Sequence, residues 1–310
     1  MTPIFSIVLP VYNEHENIPE LYRRLNLVSK QLGHTTEMIF INDGSSDSTL
    51  KIVAALSKKD RRVRLINFSR NFGHQVAVSA GLDHSRGKYI AILDSDLQDP
   101  PEVLPKFFAK LKQGYNVVYA IRRDRKESWW LKAAYAGFYK LLSVAANINI
   151  PLDSGDFCVM DQKALHCMRQ LPERNRFVRG LRSWIGLKQI GLEYKRAARF
   201  AGTTKYSLRK LFRLAFDGIF SFSFVPLQLL TFFGFQFFTL SIVFSLLIVY
   251  VRLFTDFFVP GFATTIILIL FTSGLNMLSL GLVGEYVGRI YDEVKQRPQY
   301  IIESKIGFNN

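Results

Sequence analysis

The chain has 310 residues, 49% of them hydrophobic and 14% aromatic, enough for one large domain or a medium domain with an appendage. Its two cysteines, Cys158 and Cys167, stand in no metal-ligand spacing with histidine, which argues against a disulfide framework or a zinc site. The net charge of +15 would suit a nucleic-acid binder, but the basic residues crowd beside two long uncharged runs near the C-terminus, which argues against one.

The first two hundred residues alternate short β-branched runs with helical patterns, the signature of a mostly parallel α/β sheet. No basic patch leads a long apolar segment in Met1–Leu9, so no cleavable signal peptide is expected. Ser6–Pro10 reads as a strand, 17–31 as a helix, Glu37–Ile41 as a strand and Ser48–Ser57 as a helix. Val63–Asn67 is a third predicted strand, 75–83 a helix, Tyr89–Leu93 a fourth strand and Glu102–Lys112 a helix. In such a sheet, ligands bind beyond the carboxyl ends of the strands. The polar motifs sit at those ends: Pro10-Val11-Tyr12-Asn13-Glu14, Asn42-Asp43-Gly44-Ser45-Ser46-Asp47, Ser69-Arg70-Asn71-Phe72-Gly73-His74 and Asp94-Ser95-Asp96-Leu97-Gln98.

The last of these carries the most chemistry. A strand running out into a loop points alternate side chains the same way, so Asp94 and Asp96 can face one hard cation, and a cation there could clamp a diphosphate. An Asp-x-Asp pair alone is more often a solvated acidic turn; four polar loops converging with it is what favours a site. Further on, Gly114–Ala120 reads as a strand delivering Arg122 and Arg123 to the sheet edge, and Trp129–Val144 as an apolar helix bearing Lys132. The turn Pro151–Phe157 then feeds Cys158-Val159-Met160. Basic groups facing a phosphate site are natural partners for a second anion, although each one alone fits a solvated surface equally well.

Ser207–Phe220 places Arg209, Arg213 and Asp217 on one side and Leu208, Leu211, Phe212, Ala215, Ile219 and Phe220 on the other, an amphipathic helix suited to the membrane interface. Two uncharged stretches follow, Pro226–Val251 and Pro260–Gly284, each exceeding the roughly 20 residues a helix needs to cross a bilayer. Joined by the short Arg252–Val259 loop, they predict a transmembrane hairpin. Basic flanks before it, and Arg289, Lys295 and Arg297 after it, predict that both termini are cytoplasmic.

Taken together, these motifs resemble the signature loops of family-two glycosyltransferases, and most closely the polyprenyl-phosphate branch that includes bactoprenol glucosyltransferases and dolichyl-phosphate mannosyl synthases. The likeness extends to Ser154-Gly155-Asp156-Phe157, Ala201–Ser207, the two apolar stretches and Gly284–Tyr291, nearly the whole chain. It implies a GT-A type, Rossmann-like, mostly parallel sheet in a cytoplasmic catalytic domain over 1–205. An amphipathic juxtamembrane helix would follow over 206–224, two transmembrane helices over 225–285 and a cytoplasmic tail over 286–310. It also implies an inverting transfer from a nucleotide sugar, UDP-glucose first among the candidates, to undecaprenyl or another polyprenyl phosphate at the bacterial inner membrane, with Mg2+ or Mn2+ as cofactor. A homo-oligomer, tetrameric in relatives, is implied as well.

Carried over position by position, Pro10, Tyr12, Glu14, Asp43, Asp94 and Ser95 would bind the nucleotide sugar, and Arg199 and Lys205 would lie over its diphosphate. Asp94, Asp96 and Gln98 would hold the metal, Asp156 matches the carboxylate assigned to catalysis, and Arg122 with Lys132 would receive the acceptor phosphate. Where relatives often carry Gly-Glu-Ser-Lys, this chain has Gly202-Thr203-Thr204-Lys205; the lysine is kept and the carboxylate is missing. A processive polysaccharide synthase is the rival enzyme, for which Arg179-Gly180-Leu181-Arg182-Ser183-Trp184 is a partial echo of the acceptor motif. A non-catalytic nucleotide-sugar scaffold is the rival outside enzymes, opposed by the cost of gathering Asp94, Asp96 and Asp156 without a cation or substrate.

Overall fold

The computed structural model describes residues 2–123, 154–171, 173, 174, 176–195, 225–254 and 261–308. Four parallel strands, β1 (Phe5–Val11), β2 (Thr36–Asn42), β3 (Val63–Phe68) and β4 (Tyr89–Ile92), form the centre of the sheet in the order β4-β1-β2-β3. Every residue of β1 and β2 is buried, as expected of parallel strands covered on both faces. Strands β5 (Val117–Arg123), β6 (Ser154–Asp161) and β7 (Gln189–Lys195) extend the sheet beyond β4, with β6 antiparallel between β4 and β5. At the opposite edge β8 (Ile302–Ile306) lies antiparallel to β3.

Helices cover both faces. The odd-numbered residues of β1, Phe5, Ile7, Leu9 and Val11, pack against α1 (Ile18–Leu32), Val53 of α2 (Thr49–Lys59) and α4 (Leu104–Lys112). Val8 of β1 shares the other core with α3 (His74–His84), α5 (Gln162–Gln170) and α6 (Val178–Trp184). The period-two pattern of the strand thus assigns its residues to two cores. Local chemistry sets several helix ends: α1 opens with Pro19 and closes on Gly33 in the left-handed region at φ 64°, and the Asp161 side chain caps α5 by accepting from Ala164 N at 2.8 Å.

The eight-stranded mixed sheet, layered by helices, is of the GT-A type that the motifs implied. Strands β7 and β8 and helices α5 and α6 were not anticipated. The predicted helices over Trp129–Val144 and Ser207–Phe220 fall outside the described residues.

After the sheet come α7 (Val225–Phe254), of 30 residues, and α8 (Phe262–Val294), of 33. Both contain stretches long and apolar enough to cross a membrane, Pro226–Val251 and Ile267–Val294, and no residue in the most apolar part of either is buried. The Phe237 and Phe271 rings meet at 5.8 Å between the two helices. Helix α8 runs ten residues past Gly284, where the uncharged stretch ends, supported by the Glu285–Arg289 pair one turn apart (3.0 Å).

Candidate active site

Strand β1 pairs with β4 only as far as Val8↔Ile92, and Leu93 N donates to Val8 O at 3.0 Å. Pro10, two residues on, therefore lacks its N–H on the side where β4 has ended, which explains how a proline is tolerated inside a central strand. Beyond this point β1 and β4 are no longer paired, and at such a switch in strand order an open α/β sheet binds ligands in the crevice between the two loops.

The loops on the β1–β2–β3 side are stitched to one another. Asn13, in the left-handed region at φ 53°, accepts from Ser46 N at 2.8 Å, while its own N–H donates to Ser45 Oγ at 2.9 Å. Glu14 N donates to Thr49 Oγ1 at 2.9 Å, and Asp47 takes the His15 imidazole at 2.7 Å. Asp43 is buried, and its oxygens accept from Phe72 N (2.7 Å), Gly73 N (3.0 Å) and Asn71 Nδ2 (3.0 Å). Gly44 lets the second and third loops touch: a Cβ there would sit 2.5 Å from the Arg70 carbonyl carbon, and its φ of 66° suits glycine.

On the other side of the crevice, burial alternates through the loop after β4. Leu93, Ser95, Leu97 and Asp99 are buried, whereas Asp94, Asp96, Gln98 and Pro100 are partly exposed. This alternation is the presentation expected for Asp94, Asp96 and Gln98; Ser95 falls in the buried set. The loop is held in a costly shape, since Leu97 adopts φ 60° with its side chain in the core, an outlier that persists only where its surroundings impose it. Fully buried Asp99 accepts a hydrogen bond from Tyr194 OH of β7, tying the loop to the sheet. Gln98 N donates to Asp96 Oδ1 at 3.1 Å, closing a local turn.

Asp156, near the start of β6, reaches this crevice. Its Oδ1 lies 3.2 Å from Arg179 Nε, and its Oδ2 accepts from Gln75 Nε2 at 3.0 Å and lies 3.5 Å from His74 Nε2. The same His74 nitrogen is 3.6 Å from Asp94 Oδ1, so one imidazole stands between two carboxylates 62 positions apart in the chain. Burial alone would lower the His74 pKa, but the hydrogen bond to Asp156 and the charges of Asp94, Asp156 and Asp43 push it up to about 9. Burial would likewise raise the Asp156 carboxyl; Arg179, His74 and Gln75 outweigh it and hold that group well below the usual carboxylate range. Asp94 goes the other way: burial, only partly offset by His74 and reinforced by Asp99, Asp156 and Asp96, pushes it up to about 6.

Asp94 Oδ1 is buried with no hydrogen-bond donor, an orphaned oxygen of the kind a cation or ligand would satisfy. Two carboxylates and an amide oxygen are suitable donors for Mg2+ or Mn2+. No group of three or more His, Cys, Asp or Glu side chains among the described residues could hold a metal ion by itself.

Of the expected site residues, the structure gathers Pro10, Tyr12, Glu14, Asp43, Asp94, Ser95, Asp96, Gln98 and Asp156 at the carboxyl ends of the strands and the loops beyond them. Tyr12 is exposed, Glu14 partly so, and Pro10 is buried in β1. Arg122 lies on β5 opposite Tyr194 of β7. Lys132, Arg199 and Lys205 lie outside the described residues. The sequence reading assigned no site role to His74, Gln75, Arg179, Asp99 or Tyr194. Gln75 binds both Asp156 and, through Oε1, Val178 N at 2.8 Å, so it docks α6 and hence Arg179 against the carboxylate. The Arg179–Trp184 echo was the available signal for α6. Its second arginine, Arg182, is 1% exposed, donates to Gly155 O at 3.3 Å and sits 4.7 Å from the centre of the Tyr119 ring, behind Asp156.

The model of glycosyl transferase family 2 matches residues 6–169. An uncharacterized glycosyltransferase, YkcC of Bacillus subtilis, is 47% identical over 307 residues, covering 99% of this chain and 95% of its own. The SfII prophage-derived bactoprenol glucosyl transferase of Shigella flexneri is 40% identical over 299 residues, covering 96% of this chain and 97% of its own. Among solved structures, glucosyl-3-phosphoglycerate synthase from Mycobacterium tuberculosis, in complex with Mn2+, UDP-glucose and phosphoglyceric acid, superposes with a TM-score of 0.50 at 18% identity. That superposition covers 71% of this chain and 78% of the other, a likeness of fold.

Proposed function

The chain belongs to glycosyl transferase family 2, and from that premise we propose that it transfers one sugar, glucose, from UDP-glucose to undecaprenyl or a related polyprenyl phosphate at a bacterial cytoplasmic membrane. The observation that carries this reading is the meeting of Asp94 and Asp156 across His74 at the mouth of the sheet, in a chain with two exposed helices of membrane length. Relatives matching nearly the whole chain and bearing the name bactoprenol glucosyl transferase support the lipid acceptor and the sugar. The organisation proposed is a catalytic domain over 1–205, a juxtamembrane helix over 206–224, a hairpin over 225–285 with both termini cytoplasmic, and subunits that associate. The hairpin confines the enzyme to the plane of its acceptor and so supplies proximity.

In the reaction an acceptor phosphate oxygen attacks the anomeric carbon, the bond from that carbon to the β-phosphate oxygen breaks, and the nucleoside diphosphate departs, inverting the configuration. Tyr12, Glu14 and Asp43 bind the nucleoside, backed by Pro10 and Ser95, and Asp43 also keeps the adjoining loop in shape. Asp94, Asp96 and Gln98 would hold Mg2+ or Mn2+, which when bound neutralises charge on the leaving diphosphate. Arg199 and Lys205 are assigned to the same diphosphate, and Arg122 and Lys132 to the acceptor phosphate.

Asp156 is a poor proton acceptor because Arg179, His74 and Gln75 hold its pKa low. None is needed, since a phosphate monoester with a second pKa of about 6 is already largely deprotonated near neutral pH. Its fixed negative charge instead stabilises positive charge developing on the sugar. Incubating the purified full-length protein with UDP-glucose, Mn2+ and undecaprenyl phosphate should give a lipid of one added hexose by mass; absence of product with every UDP-sugar tested would reject the reading. Because the Arg179–Trp184 echo lies beside Asp156, product length should be read too: a polymer would favour the processive alternative.

A further inference from the structure

We infer that the segment following the second apolar helix is a working part of the donor pocket, with Tyr300 and Glu303 buttressing the loops after β2 and β3 and thereby setting nucleotide affinity. The inference rests on the proposed nucleotide-sugar reading of those loops. Returning from α8, the chain pairs β8 with β3 through Ile66↔Lys305, Asn67↔Ser304 and Phe68↔Ile302, and Ser69 N donates to Ile301 O at 3.1 Å. The register shifts between Asn67 and Phe68, where the strand gives way to the Ser69–Gly73 loop.

Two chains of contact lead inward from this edge. In the first, the Tyr300 ring stacks on Phe68 (centroids 5.1 Å apart, planes 18° apart), and Phe68 meets Phe72 edge-on at 5.6 Å. Phe72 N then donates to Asp43 at 2.7 Å, and the Arg70 guanidinium lies 4.1 Å from the centre of the Phe72 ring. In the second, Glu303 Oε2 accepts from Asn67 Nδ2 at 2.8 Å, and Asn67 Oδ1 accepts from Asn42 Nδ2 at 2.7 Å. Asn42 directly precedes Asp43, so both routes converge on one carboxylate. Tyr300 is itself pinned, its hydroxyl donating to Asp83 Oδ2 at 3.0 Å. Since Asp43 holds Asn71, Phe72 and Gly73 in place, loosening either route would let the loop relax and reduce the fit for a nucleotide.

The test is calorimetric titration of the full-length protein in detergent with UDP, GDP and CDP in turn, each with Mn2+, beside a thermal melt. Wild-type protein that binds none of the three overturns the nucleotide reading itself, whatever the variants do. Given wild-type binding, Tyr300→Ala should raise the Kd about tenfold with stoichiometry retained, the size expected from losing an aromatic contact that shapes the pocket. Tyr300→Phe, which keeps the ring, should bind within about twofold of wild type. Glu303→Ala should raise the Kd about threefold, and it carries the test alone if Tyr300→Ala does not fold. An unchanged Kd in Tyr300→Ala, or in Glu303→Ala where that variant decides, with only the melting temperature lowered, overturns the inference.

Discussion

The two ends of the central strands both bury carboxylates, and they treat them in opposite ways. At the amino end Glu37, 2% exposed, is closed off: its Oε1 accepts from Ser6 Oγ and from Arg86 N at 2.9 Å, and its Oε2 meets Arg64 Nη1 at 2.7 Å. Ser6 Oγ in turn accepts from Gly87 N at 2.7 Å. At the carboxyl end Asp94 keeps an oxygen without a donor and faces Asp156 across a single imidazole. The difference lies in the countercharge: Glu37 Oε2 sits 2.7 Å from a guanidinium nitrogen that belongs to the architecture, whereas the nearest cationic nitrogen to Asp94 Oδ1 among the described residues is that of His74 at 3.6 Å, which leaves room for a ligand to satisfy it.

Variants at the two ends should separate these roles. The largest effect is expected from Asp156→Asn: a fall in kcat of about 10³-fold, with nucleotide Kd nearly unchanged, read from product formation and calorimetry side by side. A weakened nucleotide Kd would move Asp156 out of the role given to it here. Next, Glu37→Ala should leave Arg64 uncompensated and cost about 3 kcal/mol of stability in thermal or chemical unfolding, while kcat per folded molecule stays at the wild-type level. Asp94→Asn should keep the fold and weaken Mn2+ binding by roughly tenfold in a titration followed by electron paramagnetic resonance, the loss of one charged oxygen donor. A smaller version of the same effect is expected for Tyr194→Phe, which removes the hydrogen bond to Asp99 and should weaken Mn2+ binding by about fivefold, near 1 kcal/mol. Smallest of all, breaking the solvent-facing Arg24–Glu102 pair with Glu102→Gln should change stability by no more than about 0.5 kcal/mol.

The same contrast explains what could be read in advance. The parallel strands and their loops were legible because a strand buried on both faces reads as an uninterrupted apolar run, as in Ser6–Pro10 and Tyr89–Leu93, with polar residues collected at one end. The shared facing of Asp94 and Asp96 was legible from the alternation of a strand running out into a loop, and Gln98 was joined to them by the family resemblance. Strands β7 and β8 escaped notice because edge strands are only half covered: Ile302–Ile306 reads Ile-Glu-Ser-Lys-Ile, with nothing apolar at its centre. His74, Gln75 and Arg179 were visible as residues but not as neighbours of Asp156, since Gln75 is separated from it by 81 positions and no local pattern encodes such a contact. Asp99 stands out in no local pattern, and its burial against Tyr194 reveals it as a brace.

Strand β8 also imposes a timetable on the protein's synthesis. A ribosome delivers residues 302–306 only after both long apolar helices have been made, so one edge strand of the sheet is added once those helices have already emerged. A nascent chain halted before that point carries β3 with one side unpaired, an uncovered edge of the kind that invites aggregation. Completion of this edge of the sheet therefore comes after both apolar helices in the chain's order.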